Sequence, residues 1–84
     1  MVTFSEAYNV ANAEFQAAVT NLQMLEDDAR QKYIVHARLL YGCAPAAEVL
    51  SARTAWLEAD RAAKHARVDT EHAYAKRNTG SRYL

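Results

Sequence analysis

His65, Asp69 and His72 stand at i, i+4 and i+7, so on a helix their side chains leave from one face. Two histidines and a carboxylate arranged this way are a zinc-ligand pattern, with Glu14 of a neighbouring helix as the candidate further donor. No HExxH and no pair of cysteines accompanies them. The ordinary reading is a solvated face beside a helix seam, and no metal site is expected. Cys43 is the only cysteine, so no intrachain disulfide is available, which favours a reducing compartment. No histidine is placed in sequence to activate its thiol, and it reads as a plain turn residue. Ser5, Ser51 and Ser81 belong to no nucleophile turn. Two glycines far apart in the chain cannot build a phosphate-binding loop. No catalytic residue and no cofactor is expected, and the chain is not expected to be an enzyme.

Arg61, Lys64, Arg67, Lys76, Arg77 and Arg82 form a basic series that could track phosphates. Glu58, Asp60, Asp69 and Glu71 are interleaved with it, and across the chain ten basic residues balance ten acidic ones. Nucleic-acid binding driven by counterion release needs uncompensated positive charge, so a salt-bridged, solvated face is the preferred reading.

The elements that must position these residues are set by two glycines and one proline in 84 residues. Gly42 and Pro45 lie near the middle, in Tyr41-Gly42-Cys43-Ala44-Pro45. Glycine there is expected to close a first helix in the left-handed conformation, and proline to suit the first turn of a second. Gly80 marks the end of that second helix. The resulting expectation is one helical-hairpin domain over residues 1–84. It has helix 1 at about 4–41, a turn at 42–44, helix 2 at about 45–78 and a short tail at 79–84.

Thr3 followed by Glu6 is a capping-box pattern for the first helix. Phe4, Tyr8, Ala11, Phe15, Ala18, Leu22, Leu25 and Ala29 then recur in alternating steps of four and three. Such a 3.5-residue period is that of a coiled-coil seam. Past Ala29 the register would place Lys32 and His36 inside, and it falters. Val49, Ala52, Trp56, Ala59, Ala63, Ala66, Thr70 and Ala73 repeat the rhythm in helix 2. Mostly alanine, this second ladder lets two helix backbones approach closely, with the larger residues of the first filling the space opposite. Residues 1–28 hold five carboxylates and no base, whereas residues 61–82 are mainly basic. An antiparallel hairpin sets the two stretches side by side, acid against base. A break at Asp27-Asp28, where Asp28 and Gln31 resemble a second cap, would give three helices instead.

Tyr33, Ile34, Val35, Leu39, Leu40 and Tyr41, then Val49, Leu50, Trp56 and Leu57, surround the turn and point several ways about each axis. Two helices cannot cover them all, and exposed apolar patches of this kind mark interaction sites. Of these residues, Tyr33, Ile34, Leu39, Leu40, Tyr41, Val49, Leu50, Trp56 and Leu57 form the candidate interface. Dimerisation there, giving an all-α four-helix bundle, is the economical expectation. The function that follows is a non-enzymatic protein–protein interaction module. A structural or chaperone-like assembly component is the alternative, and a nucleic-acid-associated protein the further one. The opening MVTFSEAYNV has neither a basic n-region nor an apolar h-region of a secretory signal, and no apolar run is long enough to span a bilayer. A cytoplasmic protein without membrane contact is expected.

Two-helix secreted proteins with a Trp-x-Gly turn share this outline. The turn here reads Tyr41-Gly42-Cys43, so their function does not carry over. In size and solitary-hairpin character the chain resembles small regulators and inhibitors encoded by bacteria and their phages. That resemblance implies a protein that blocks a surface of a larger one.

Overall fold

A computed structural model describes residues 3–80, and all of them outside the turn and the first cap lie in two helices, α1 (Phe4–Tyr41) and α2 (Ala46–Gly80). The helices pack along their whole length as an antiparallel hairpin with extents of 62 × 16 × 14 Å. Cross-helix pairs step outward from the turn in order: Tyr33 with Trp56, Glu26 with Arg67, Ala18 with Thr70, Phe15 with Tyr74, and Asn12 with Arg77.

α1 opens on the expected capping box. The Glu6 amide donates to Thr3 Oγ1 at 3.2 Å, and the Thr3 amide donates to the Glu6 carboxylate at 3.4 Å. The helix then runs unbroken through Asp27 and Asp28, so the three-helix alternative does not hold. Each of those aspartates is neutralised along the same helix, by Arg30 at 3.3 Å and Lys32 at 2.9 Å. Such i+3 and i+4 pairs offset the poor helix propensity of aspartate.

At the turn two expectations are corrected. Gly42 sits at φ −82°, ψ 5°, and Cys43 takes the left-handed conformation at φ 56°. The hydrogen bonds give the reason. The Ala44 amide donates to Leu39 O at 3.0 Å and the Cys43 amide to Leu40 O at 3.3 Å, the paired bonds of a Schellman motif whose left-handed position is Cys43. Gly42, with its amide on Arg38 O at 2.9 Å, continues the last helical turn one residue too early to serve there. Pro45 lies just ahead of α2 rather than in its first turn. Its carbonyl accepts from the amides of Glu48 and Val49 at 3.0 and 3.2 Å.

The two ladders face each other. Ala11, Ala29, Ala59, Ala63 and Ala66 are the buried hydrophobic residues, and no large side chain is fully buried among the described residues. Phe15, Ala18, Leu22 and Leu25 of α1, and Val49, Ala52, Trp56, Thr70 and Ala73 of α2, are half-buried alongside them. Past Ala29 the ladder does not simply fail. Lys32 turns out to Asp28, but His36 stays half-buried against Trp56, the rings stacked at 5.8 Å and 18°. Phe4 lies in α1, but its side chain is outside the described residues. α2 runs on through residues 79 and 80, which were expected to open the tail, and the rest of that tail, 81–84, lies outside the described residues.

Cross-helix charge follows the expected acid-against-base arrangement. Lys76 pairs with Glu14 at 3.0 Å and Arg67 with Glu26 at 3.7 Å. Exposed pairs of this kind contribute at most about 1 kcal/mol, so they favour the orientation more than they hold it. No helix among the described residues is long and apolar enough to cross a membrane.

Candidate protein-interaction surface

The residues around the turn divide by exposure. Leu39, Val49 and Trp56 are half-buried in the seam. Tyr33, Ile34, Val35 and Leu57 are exposed, and Leu40, Leu50 and Tyr41 more so, at 52%, 59% and 84%. The cause is geometric. Near the turn each helix bears large apolar side chains on rows beyond the one its neighbour covers, whereas farther out those rows are mainly polar or alanine.

These side chains do not form one continuous face. Leu40 follows Tyr33 by seven residues and Leu50 precedes Leu57 by seven, two helical turns in each case, so each pair shares a row. Tyr33 and Leu57 border the same flank of the hairpin, since both line clefts that include Asp60 and Lys64. Ile34 shares a row with Tyr41, seven residues on, and Val35 points away from that flank. On the opposite flank a second cleft of about 440 Å³ runs beside Leu39, Ala52 and Ala55.

The flank with Tyr33 holds a groove of about 430 Å³ over the seam. Its floor is Ala29 and Ala63, and Tyr33 and Trp56 close its turnward end, their rings edge to face with centroids 5.1 Å apart. Glu26 and Arg30 border it from α1, and Asp60, Lys64 and Arg67 from α2. The rim carries three bases and two carboxylates, and each base is paired: Lys64 with Asp60 at 3.0 Å, Arg67 with Glu26 at 3.7 Å, and Arg30 with Asp27, outside the rim, at 3.3 Å. The groove exists because small residues form the seam exactly where the flanking side chains are long. An alanine ladder in the sequence signals such a groove only once its partner ladder is known.

The other candidates are dispersed. Glu14 is held by Lys76 and does not join His65, Asp69 and His72, all three of which are exposed. Among the described residues no group of three His, Cys, Asp or Glu side chains stands close enough to hold a metal ion. Cys43 is exposed at the tip of the hairpin. Of the basic series, Lys64, Lys76 and Arg67 are paired with carboxylates. Arg77 lies over Phe15 at 4.6 Å and Tyr74 at 5.2 Å and donates to Asn12 Oδ1 at 3.1 Å.

Three features escaped the sequence reading. Val10 and Met24 are exposed on α1 far from the turn, at 58% and 66%. His36 stacks on Trp56, and Arg77 serves as a seam residue rather than a surface charge. The last was open to detection, since Arg77 continues the α2 ladder one step past Ala73. The chain matches no protein-family model, no curated protein and no solved structure.

Proposed function

We propose that this chain is a non-enzymatic protein–protein interaction module. Its apolar turn end pairs two hairpins into a dimeric four-helix bundle, and the dimer acts as a small regulator or inhibitor by occluding a surface of a larger protein. The observation that carries this reading is the exposure of Leu40, Tyr41 and Leu50 at 52%, 84% and 59% at one end of the hairpin. A second hairpin laid over that end removes these side chains from water, at about 25 cal/mol for each Å² of apolar surface. Tyrosine and tryptophan beside them are the residue types that most often anchor interfaces. The bacterial or phage character of such a regulator rests on the size and hairpin outline alone.

The test places a charge at the turn end, in Leu40→Asp and Trp56→Glu. The reading expects both to abolish self-association. It also expects a target retained by the wild-type chain to be inhibited on stoichiometric addition. Full self-association and full target binding in both variants would contradict it.

A further inference from the structure

We infer that the groove over Ala29 and Ala63 is a binding site for Tyr41 of a second copy of this chain. The two hairpins then overlap about a two-fold axis with their turn ends interleaved. This rests on the dimer reading above and specifies its geometry.

Surface area argues for a second copy. A compact protein of 9.4 kDa is expected to expose about 5,000 Å², whereas this chain exposes 6374 Å². The excess is about 1,400 Å², and each partner of a standard stable interface buries about 800 Å². The excess is thus more than one standard interface needs, and one further hairpin removes over half of it.

Chemistry selects the occupant. The groove has an alanine floor, an aromatic end wall and a rim of alternating carboxylates and bases. That combination suits a side chain with an apolar body and a polar tip, which describes tyrosine. Tyr41 is the most exposed of the large hydrophobic residues, at 84%. It follows Arg30, a rim residue, by eleven positions, about three helical turns, and so projects on the groove's own flank.

The geometry closes. Tyr41 lies twelve residues from Ala29, about 18 Å along α1. A two-fold axis midway between them places each copy's Tyr41 in the other's groove at once, as an isologous contact requires. The same overlap sets Leu57 of one copy against Leu40 and Leu50 of the other, burying the three exposed leucines of this flank together. Every base of the rim is paired with a carboxylate of its own chain, so two rims repel each other little. Arg53 is the exception. Seven residues before Asp60, it shares the groove flank and comes close to its counterpart near the axis.

Trp56 is the chain's single tryptophan and lines the groove, so its fluorescence reports whether the groove is covered. Emission and light-scattering mass are followed together over a dilution series. The expected result is a two-chain mass with short-wavelength emission, both lost at the same concentration. Tyr41→Ser weakens association at least tenfold with helicity unchanged, and Arg53→Leu strengthens it. In a Cys43→Ser background, and at a concentration at which Tyr41→Ser still associates, Arg30→Cys combined with Tyr41→Cys gives a covalent dimer under mild oxidation. Within one chain these positions are about 16 Å apart, beyond the roughly 7 Å limit for a disulfide. A one-chain mass at every concentration overturns both this inference and the dimer reading. A two-chain mass with unaltered association in Tyr41→Ser and no covalent dimer overturns the groove assignment and leaves the dimer reading standing.

Discussion

Trp56 of α2 meets Tyr33 of α1 edge to face, with ring centroids 5.1 Å apart and planes at 62°. Its indole also stacks on His36, 5.8 Å away. One α2 side chain thus gathers two α1 residues about two helical turns from the hairpin tip, where the alanine run of α2 through Ala59, Ala63 and Ala66 ends. A double-mutant cycle of Tyr33→Ala and Trp56→Ala, read by denaturant unfolding, is expected to give a coupling of about 0.5–1.5 kcal/mol. Additive effects would mean the two rings do not interact. The cycle is best run in a Leu40→Asp background, which keeps association out of the stability measurement.

Cys43 holds the left-handed position that glycine occupies at most Schellman turns. A side chain there costs about 1–2 kcal/mol relative to the right-handed conformation. Cys43→Gly is expected to raise unfolding stability by about 1 kcal/mol, the gain being partly offset by glycine's greater freedom in the unfolded chain. Chemical denaturation of the two proteins checks this, and a loss of stability would contradict the turn geometry.

The spacing of the seam depends on alanine. Ala66 is 4% exposed and lines no groove, and an isobutyl side chain there has no room without separating the helices. Ala66→Leu is expected to destabilise the hairpin by about 1–3 kcal/mol, as overpacking generally does. Ala62→Leu, one position from Ala63 but exposed, is expected to change stability by less than about 0.5 kcal/mol. Equal effects at the two sites would contradict the assigned seam.

Arg77 and Lys76 are adjacent bases with different roles. Arg77 lies over the touching rings of Phe15 and Tyr74 and is bonded to Asn12, whereas Lys76 makes one exposed ion pair with Glu14. Lys76→Ala is expected to cost less than about 1 kcal/mol. Arg77→Ala is expected to cost about 1–2 kcal/mol, and Arg77→Lys to recover only part of it, because a lysine ammonium cannot stack as a planar guanidinium does. A thermal-unfolding series of the three variants distinguishes the roles.

Much of this arrangement was legible in the residues. The 3.5-residue ladders through Phe15 to Ala29 and Trp56 to Ala66 name the facing sides of both helices, because burial follows side-chain type at fixed spacing. Thr3 and Glu6 announce the start of α1 through an interaction entirely local in sequence. Gly42 misled by one position, since glycine permits the left-handed conformation without requiring it, and the last α1 hydrogen bonds decide where the turn falls. The groove was not legible. It depends on which alanine of α2 lies across from Ala29, and that register is a tertiary property. His36 and Arg77 were misread as outward groups because polarity conceals how much flat apolar surface an imidazole or a guanidinium can bury.

The central claim is that the turn end is an interaction surface completed by a second chain. Its most direct test is solution mass by size exclusion with light scattering, from high concentration through extended dilution, for the wild type and Leu40→Asp. The account predicts a mass of two chains for the wild type and of one chain for Leu40→Asp, with both proteins equally helical. A wild-type mass of one chain across the series, or an undiminished two-chain mass for Leu40→Asp, would contradict it.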